Sequence, residues 1–305
     1  MTSSVKVKNK GNKKYIKRDA VLSTLFIVLT AAGLVCLLYP TASDVINTVN
    51  ESKAIHLYQK EVDLLPTHQD ELEYERAQEY NRQLAKLHSP LFESSSLEGY
   101  SDILNVNSNG IIGIVDIPKI NVSLPIYHGT SDEVLGNAVG HLQGTSFPVE
   151  GDNTHSVIAA HSGVNNARLF TDIDSLDIGD TFTITVLNKE LLYKVDNIEV
   201  VLPEETIALE IVDGGNYVTL QTCTPYGVNS HRLLVRGKYI TTTKVEKKAT
   251  EEGSWEETVV TVMSVLTTKR NITPVIIAVG LVLLFVILRI IINFKRNKRQ
   301  RGEKQ

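Results

Sequence analysis

Tyr217-Val218-Thr219-Leu220-Gln221-Thr222-Cys223 is the stretch on which the reading of this chain turns. It has strand-forming composition and runs straight into a thiol. After a turn-rich segment containing Pro225, Gly227 and Asn229, a second strand-like run, Leu233-Leu234-Val235, begins just past Arg232. Two such strands side by side set a nucleophile and a guanidinium at neighbouring strand ends. Cys223 has no intramolecular partner, because the other cysteine, Cys36, sits inside an apolar span. A free cysteine by itself is often a small buried hydrophobe; its flanking residues make this one a candidate nucleophile.

A thiol at neutral pH is mostly protonated, so a cysteine nucleophile requires a base to hold its proton and a positive group to favour the thiolate or an oxyanion. Among eight histidines, His161 fits best. It follows the apolar run Ser156-Val157-Ile158-Ala159-Ala160 and precedes Ser162-Gly163, at a strand-to-loop exit. His155, His141 and His128 stand at strand starts or turns and are weaker choices, and His231 reads as support for the loop before Arg232. Arg236 shares the face of Arg232 at period two and competes with it. No CxxC or Cys/His cluster suggests zinc, and the chain implies no cofactor or metal.

Outward from this core, charge and hydropathy set the compartment. Val21 to Tyr39 is nineteen uncharged residues, enough to cross about 30 Å of hydrocarbon. A second apolar run extends from Ile272 to Phe294, broken only by Arg289, which can snorkel to the interface. Residues 1–20 carry a net +6 and residues 289–305 another +6, leaving −16 on the 268 between them against a total of −4. The positive-inside rule then predicts a two-pass cell-membrane protein with both termini in the cytoplasm and an acidic, extracytoplasmic middle. Thr41-Ala42-Ser43 also admits a signal-peptide reading. The acidic middle excludes nucleic acid as a natural partner.

The predicted organisation is a basic tail (1–20), a transmembrane helix (21–39), a helical region with a loop (43–109), a β-rich catalytic domain (110–242), a linker (243–271), a second transmembrane helix (272–294) and a basic tail (295–305). The helical region breaks at Pro66, with Thr67 as the expected cap of the next helix. His88 to Asn109 reads as a loop of about twenty residues, a length usually functional or disordered. Strands are predicted over 110–118, 122–127, 154–160, 181–186, 191–201, 217–222 and 232–240, with a short helix over 131–139, a helical pattern over 170–176 and a hairpin turn at Asn188-Lys189. So many short strands predict a mainly β domain, a closed barrel or a sandwich.

These residues together resemble the sortase family of Gram-positive bacteria, membrane-tethered cysteine transpeptidases. Thr219-Leu220-Gln221-Thr222-Cys223 matches that family's TLxTC motif, Ala160-His161-Ser162-Gly163 its histidine segment, and Arg232 its arginine position. The wider stretches Pro225-Tyr226-Gly227, Asn229-Ser230-His231-Arg232, Ile117-Pro118-Lys119-Ile120, Leu124-Pro125-Ile126-Tyr127-His128-Gly129 and Gly140-His141-Leu142 are similar to the pilin-polymerising class C branch, as is a second C-terminal anchor. The resemblance implies a closed sortase-type barrel, with Cys223, His161 and Arg232 acting on an LPxTG-like sorting signal and a pilin lysine as acceptor. A housekeeping sortase that uses a peptidoglycan precursor and a non-enzymatic membrane-tethered scaffold are the competing readings. A papain-like hydrolase places its cysteine before its histidine, the reverse of the order here.

The resemblance also implies a lid, which in polymerising members carries Asp-Pro-aromatic, the aspartate meeting the catalytic arginine. This chain has Ser89-Pro90-Leu91-Phe92 instead. The expectation is a weakly latched lid in which Phe92 or Leu91 shields Cys223 and Glu93 substitutes for the missing anion; an ordinary surface turn is the alternative.

Overall fold

The computed structural model describes residues 11–136, 138–163, 169–245 and Gly280. Asp44–Met263 form one compact unit, and residues up to Ser43 belong to another. Helix α1 covers Gly11–Leu64, taking in the apolar segment 21–39 and the helix predicted to follow it. Within it Val21, Leu25, Leu29 and Val35 are exposed. The longest run with every side chain described there is 24–36, and among the described residues no helix is long and apolar enough to cross a membrane. The 272–294 segment, Gly280 apart, lies outside the described residues, as does all but the start of the 243–271 linker.

Helix α1 stops before Pro66, which disfavours helical backbone in the residue ahead of it. Helix α2 then spans Thr67–Leu84 with Pro66 at its N-cap position and no side-chain cap. The expected Thr67 cap is therefore corrected: Thr67 is already the first helical residue. Asp70 in the first turn and Arg82 in the last complement the helix dipole. Helix α3 is short, Pro90–Glu93, and continues into a 3-10 turn at Ser94–Ser96, so the predicted irregular loop carries local helical structure.

Eight strands follow: β1 Ile111–Ile117, β2 Val122–His128, β3 Val139–His141, β4 Thr154–Ala159, β5 Thr181–Val186, β6 Lys189–Val201, β7 Asn216–Thr224 and β8 His231–Lys244. They close into a barrel in the order β1-β2-β3-β4-β7-β8-β6-β5, which selects the barrel over the sandwich. The β2–β3 and β4–β7 pairs are parallel. Helix α4 covers only Asp132–Leu135, because the end of the predicted 131–139 helix is strand β3. The helical pattern over 170–176 resolves to a 3-10 turn at Ile173–Ser175.

Alternation along the strands divides the wall into two faces. Ile158, Val218, Leu220 and Val235 point into the main core with Phe182, Ile184 and Tyr193. The other face of the same strands carries a smaller apolar cluster, Val157, Leu209 and Leu234, against which Leu91, Leu142, Val201 and Ala208 pack.

The helices are fastened to the barrel by buried polar groups. The Tyr58 hydroxyl donates to the Ile112 carbonyl (3.3 Å) and accepts from the Leu187 N–H (3.0 Å). The Asn81 amide closes a two-bond contact with the Phe147 backbone at 2.9 and 2.8 Å. Each such bond contributes about 1 kcal/mol net, and leaving its buried partner unpaired costs more. The β5–β6 turn is Leu187-Asn188, with Val186 paired to Lys189 and Leu187 at φ +52°. It thus falls one residue earlier than predicted, because Tyr58 captures the Leu187 N–H.

Candidate active site

Strands β4 and β7 lie side by side and parallel, so both deliver their C-terminal ends to one rim of the barrel. Ala159 pairs with Gln221, the Ala160 N–H donates to the Gln221 carbonyl (3.1 Å), and the buried Thr222 hydroxyl donates to the Ala160 carbonyl (2.8 Å). Just past His161, the Ser162 hydroxyl donates to the Cys223 carbonyl (2.6 Å). His161 is thus held on both sides by bonds to β7, and continuing the register two residues brings it level with Cys223. A further bond, Phe170 N–H to the His161 carbonyl at 3.3 Å, ties the segment from the other direction. Thr222 and Ser162, which sequence reading treated only as motif letters, are the groups that make this juxtaposition.

On the other side of β7, Cys223 pairs directly with Arg232 of antiparallel β8, a position at which Cβ atoms stand about 5 Å apart. Cys223 is a free, half-buried thiol, and His161 and Arg232 are also half-buried. The Arg232 guanidinium donates to the carbonyls of Asn229 (3.3 Å) and His231 (3.1 Å). Arg236, the competing arginine, is committed elsewhere: its Nε and Nη2 bond both oxygens of Asp196 at 3.0 and 2.9 Å, and its guanidinium lies 4.5 Å from the Tyr217 ring centroid.

The remaining histidine candidates are structural. His141 is fully buried between Tyr100 Oη and the Ser146 carbonyl, and burial pushes its imidazole down to about 4. His155 and His128 are also lowered, chiefly by burial. His155 bonds the Glu210 carbonyl and Thr219 Oγ1, and His128 the Gly110 and Ile103 carbonyls. His231, the first residue of β8, is bonded to Ser230 Oγ at 2.8 Å. Gly163, at φ +73°, lies under Tyr226: a Cβ there would meet the ring at 2.7 Å, so glycine is required both by backbone and by space. Among the described residues no group of three or more His, Cys, Asp or Glu is placed to hold a metal ion.

Ser89-Pro90-Leu91-Phe92 lies on the outer face of the wall. A Cβ on Gly144 would fall 2.8 Å from the Leu91 Cα, so the segment rests directly on that glycine. Leu91 packs with Val157 and Leu234, and Leu234 is two residues along β8 from Arg232 and on the same face. Phe92 is 78% exposed, so of the two shielding candidates it is Leu91 that turns inward. Ser89 makes no capping bond. Among the described residues neither Glu93 nor any other carboxylate forms an ion pair with Arg232, so the substitute-anion expectation is not met.

A closed barrel thus brings a thiol, an imidazole and a guanidinium to one rim on adjacent strands, the set of groups that thiol-based acyl transfer requires. The Sortase domain profile matches residues 115–240. Sortase D of Bacillus subtilis (strain 168) is 29% identical over 132 residues, covering 42% of this chain and 64% of the relative. The match thus spans a little under two thirds of that curated protein. Among solved structures, sortase C1 of Streptococcus agalactiae is 44% identical with a TM-score of 0.58, covering 62% of this chain and 98% of that one. Sortase C of Clostridium perfringens, solved with its C-terminal cell wall sorting motif, is 42% identical with a TM-score of 0.56, covering 62% and 99%. Sortase C of Streptococcus pneumoniae, studied for catalysis and pilin substrate specificity, is 39% identical with a TM-score of 0.58, covering 63% and 100%. The chain belongs to the sortase family.

Proposed function

We propose that this chain is a membrane-anchored class C transpeptidase that cleaves an LPxTG-like sorting signal between Thr and Gly and joins the acyl group to a lysine amine of a pilin subunit. The observation that carries the reading is the alignment of three strand ends, with Arg232 opposite Cys223 and the His161 segment bonded to β7 on its other side. The sorting-motif complex of the C. perfringens relative and the pilin specificity of the S. pneumoniae relative support the substrate class.

In this reading the Cys223 thiolate attacks the threonine carbonyl carbon, and the carbonyl electron pair moves onto oxygen, where Arg232 offsets the negative charge. The oxyanion collapses, the Thr–Gly bond breaks, and His161 donates its proton to the departing glycine amine. The thioester retains the acyl energy. A lysine amine then attacks it, His161 takes up the amine proton, and the thiolate leaves with an isopeptide bond formed. Leu91 occupies the outer apolar cluster beside the arginine, the natural seat for the leucine of the donor motif, so the 89–92 segment acts as a lid that the donor displaces.

The same proposal includes the topology: spans at 21–39 and 272–294 with basic tails inside and the barrel outside the cytoplasm, where pilins are assembled. Intact-protein mass spectrometry with an LPxTG peptide tests the chemistry. The parent protein gains the acyl mass of the peptide and Cys223→Ala does not. No adduct on a protein lacking residues 88–97 would overturn the enzyme reading in favour of a scaffold.

A further inference from the structure

The fourteen-residue loop Leu202–Gly215 between β6 and β7 lies over the same outer face of the wall that carries Cys223 and Arg232, since its Leu209 joins Val157 and Leu234 there. Its middle is tied down at few points. Backbone bonds within 203–213 are local, such as Leu209 N–H to the Thr206 carbonyl and Glu210 N–H to the Ile207 carbonyl. The C-terminal end of the loop is held by Gly214 N–H donating to Asn153 Oδ1 (2.6 Å); among the described residues, the side-chain hydrogen bond that reaches its middle from the barrel wall comes from His155, whose Nδ1 stands 2.8 Å from the Glu210 carbonyl. The other ring nitrogen is 2.7 Å from Thr219 Oγ1, on the neighbouring strand and four residues before Cys223.

The chemistry of these partners fixes every proton. A carbonyl oxygen only accepts, so His155 Nδ1 carries the hydrogen; in the neutral ring Nε2 is then an acceptor, and the Thr219 hydroxyl must donate to it. His155 sits on the outer side of the wall, paired with Tyr217, yet it is fully buried, because the loop lies over it. The residues next to Glu210, Leu209 and Ala208, pack into the outer cluster with Val157, Leu234 and Leu91.

We propose that His155 is a positioning residue for the transfer reaction: it tethers the β6–β7 loop through the Glu210 carbonyl and so sets the shape of the groove that receives the donor peptide. His155 does not touch the reacting atoms, and its effect is on donor binding. The inference rests on the transpeptidase reading above for its kinetic consequence and on geometry alone for the tether.

Asparagine and glutamine separate the two bonds, because an asparagine amide nitrogen reaches the place of Nδ1 and a glutamine amide nitrogen that of Nε2. In the full chain in detergent, His155→Asn keeps a donor for Glu210 and His155→Gln loses it. With an LPxTG peptide as donor, H155Q raises KM about tenfold with kcat within about twofold, and amide hydrogen exchange over 207–212 quickens. H155N holds both readouts near the parent protein. Two variants that behave alike, or an H155Q loss confined to kcat, would overturn the tether. If the parent itself forms no acyl adduct, the function falls, while the exchange comparison still decides whether His155 holds the loop.

Discussion

Arg232 and Arg236 stand four residues apart on one face of β8, and their partners give them different work. Arg236 has both its hydrogen-bonding edges on Asp196 and a ring beneath it, and the Asp196 bond holds its guanidinium further above its usual range. Arg236→Ala removes a bidentate, partly sheltered pair and a stacked cation, a loss of about 2 kcal/mol in stability. Among the described residues, Arg232 has only the backbone carbonyls of Asn229 and His231 at its guanidinium, and it sits across from the thiol. Arg232→Ala lowers kcat/KM by about 100- to 1000-fold, the range for loss of an oxyanion donor, and changes the urea midpoint little. Urea denaturation and peptide turnover on both variants check this double dissociation; a stability loss in Arg232→Ala equal to that of Arg236→Ala would remove the distinction.

At the scale of elements, the 89–92 segment and the strands follow different rules. Helix α3 is a single turn without a side-chain cap, held by Leu91 in an apolar cluster and by close packing on Gly144, with no ion pair to Arg232. Leu91→Ala therefore raises the rate at which a small thiol reagent labels Cys223 by up to about thirtyfold, since losing a partly buried leucine costs about 2 kcal/mol. Phe92→Ala, at a side chain facing solvent, leaves the rate unchanged; equal effects from both would mean that the segment does not shield the thiol through Leu91. Sequence could not choose between these two side chains, because helix phase in four residues is set by what the turn rests on. The long strands were legible, since alternation and β-branched residues survive in any context, and so was the meeting of Cys223, His161 and Arg232, because each lies at a strand end. Strand β3 was missed because three residues carry no periodicity. The β5–β6 turn was misplaced by one because a leucine at positive φ is selected by a tyrosine 129 residues away. The role of His155 was out of reach for the same reason: Glu210, which it holds, is 55 residues distant.

Across the described residues of the catalytic unit, His141 and His155 are buried and His128 is half-buried; all three are hydrogen-bonded, and burial lowers all three. Two of them join the 99–110 region to the barrel, His141 through Tyr100 and His128 through Ile103 and Gly110. A histidine whose folded pKa lies below its unfolded value stabilises the fold fully above about pH 6.5. That stability is lost as pH falls toward the folded pKa, because the unfolded chain takes up protons that the folded chain refuses. With His141 pushed down to about 4, its share is on the order of 3 kcal/mol, of which about 2 kcal/mol is gone by pH 5. His128 and His155 act in the same direction. The urea midpoint of the full chain therefore drops between pH 7 and pH 5. His141→Gln offers an amide to the Ser146 carbonyl without a titrating group, so it is less stable at pH 7 but flattens the slope over the same interval. An unchanged slope in that variant would place the acid sensitivity in the carboxylates instead, and the histidine cluster would then be packing without a pH dependence of its own.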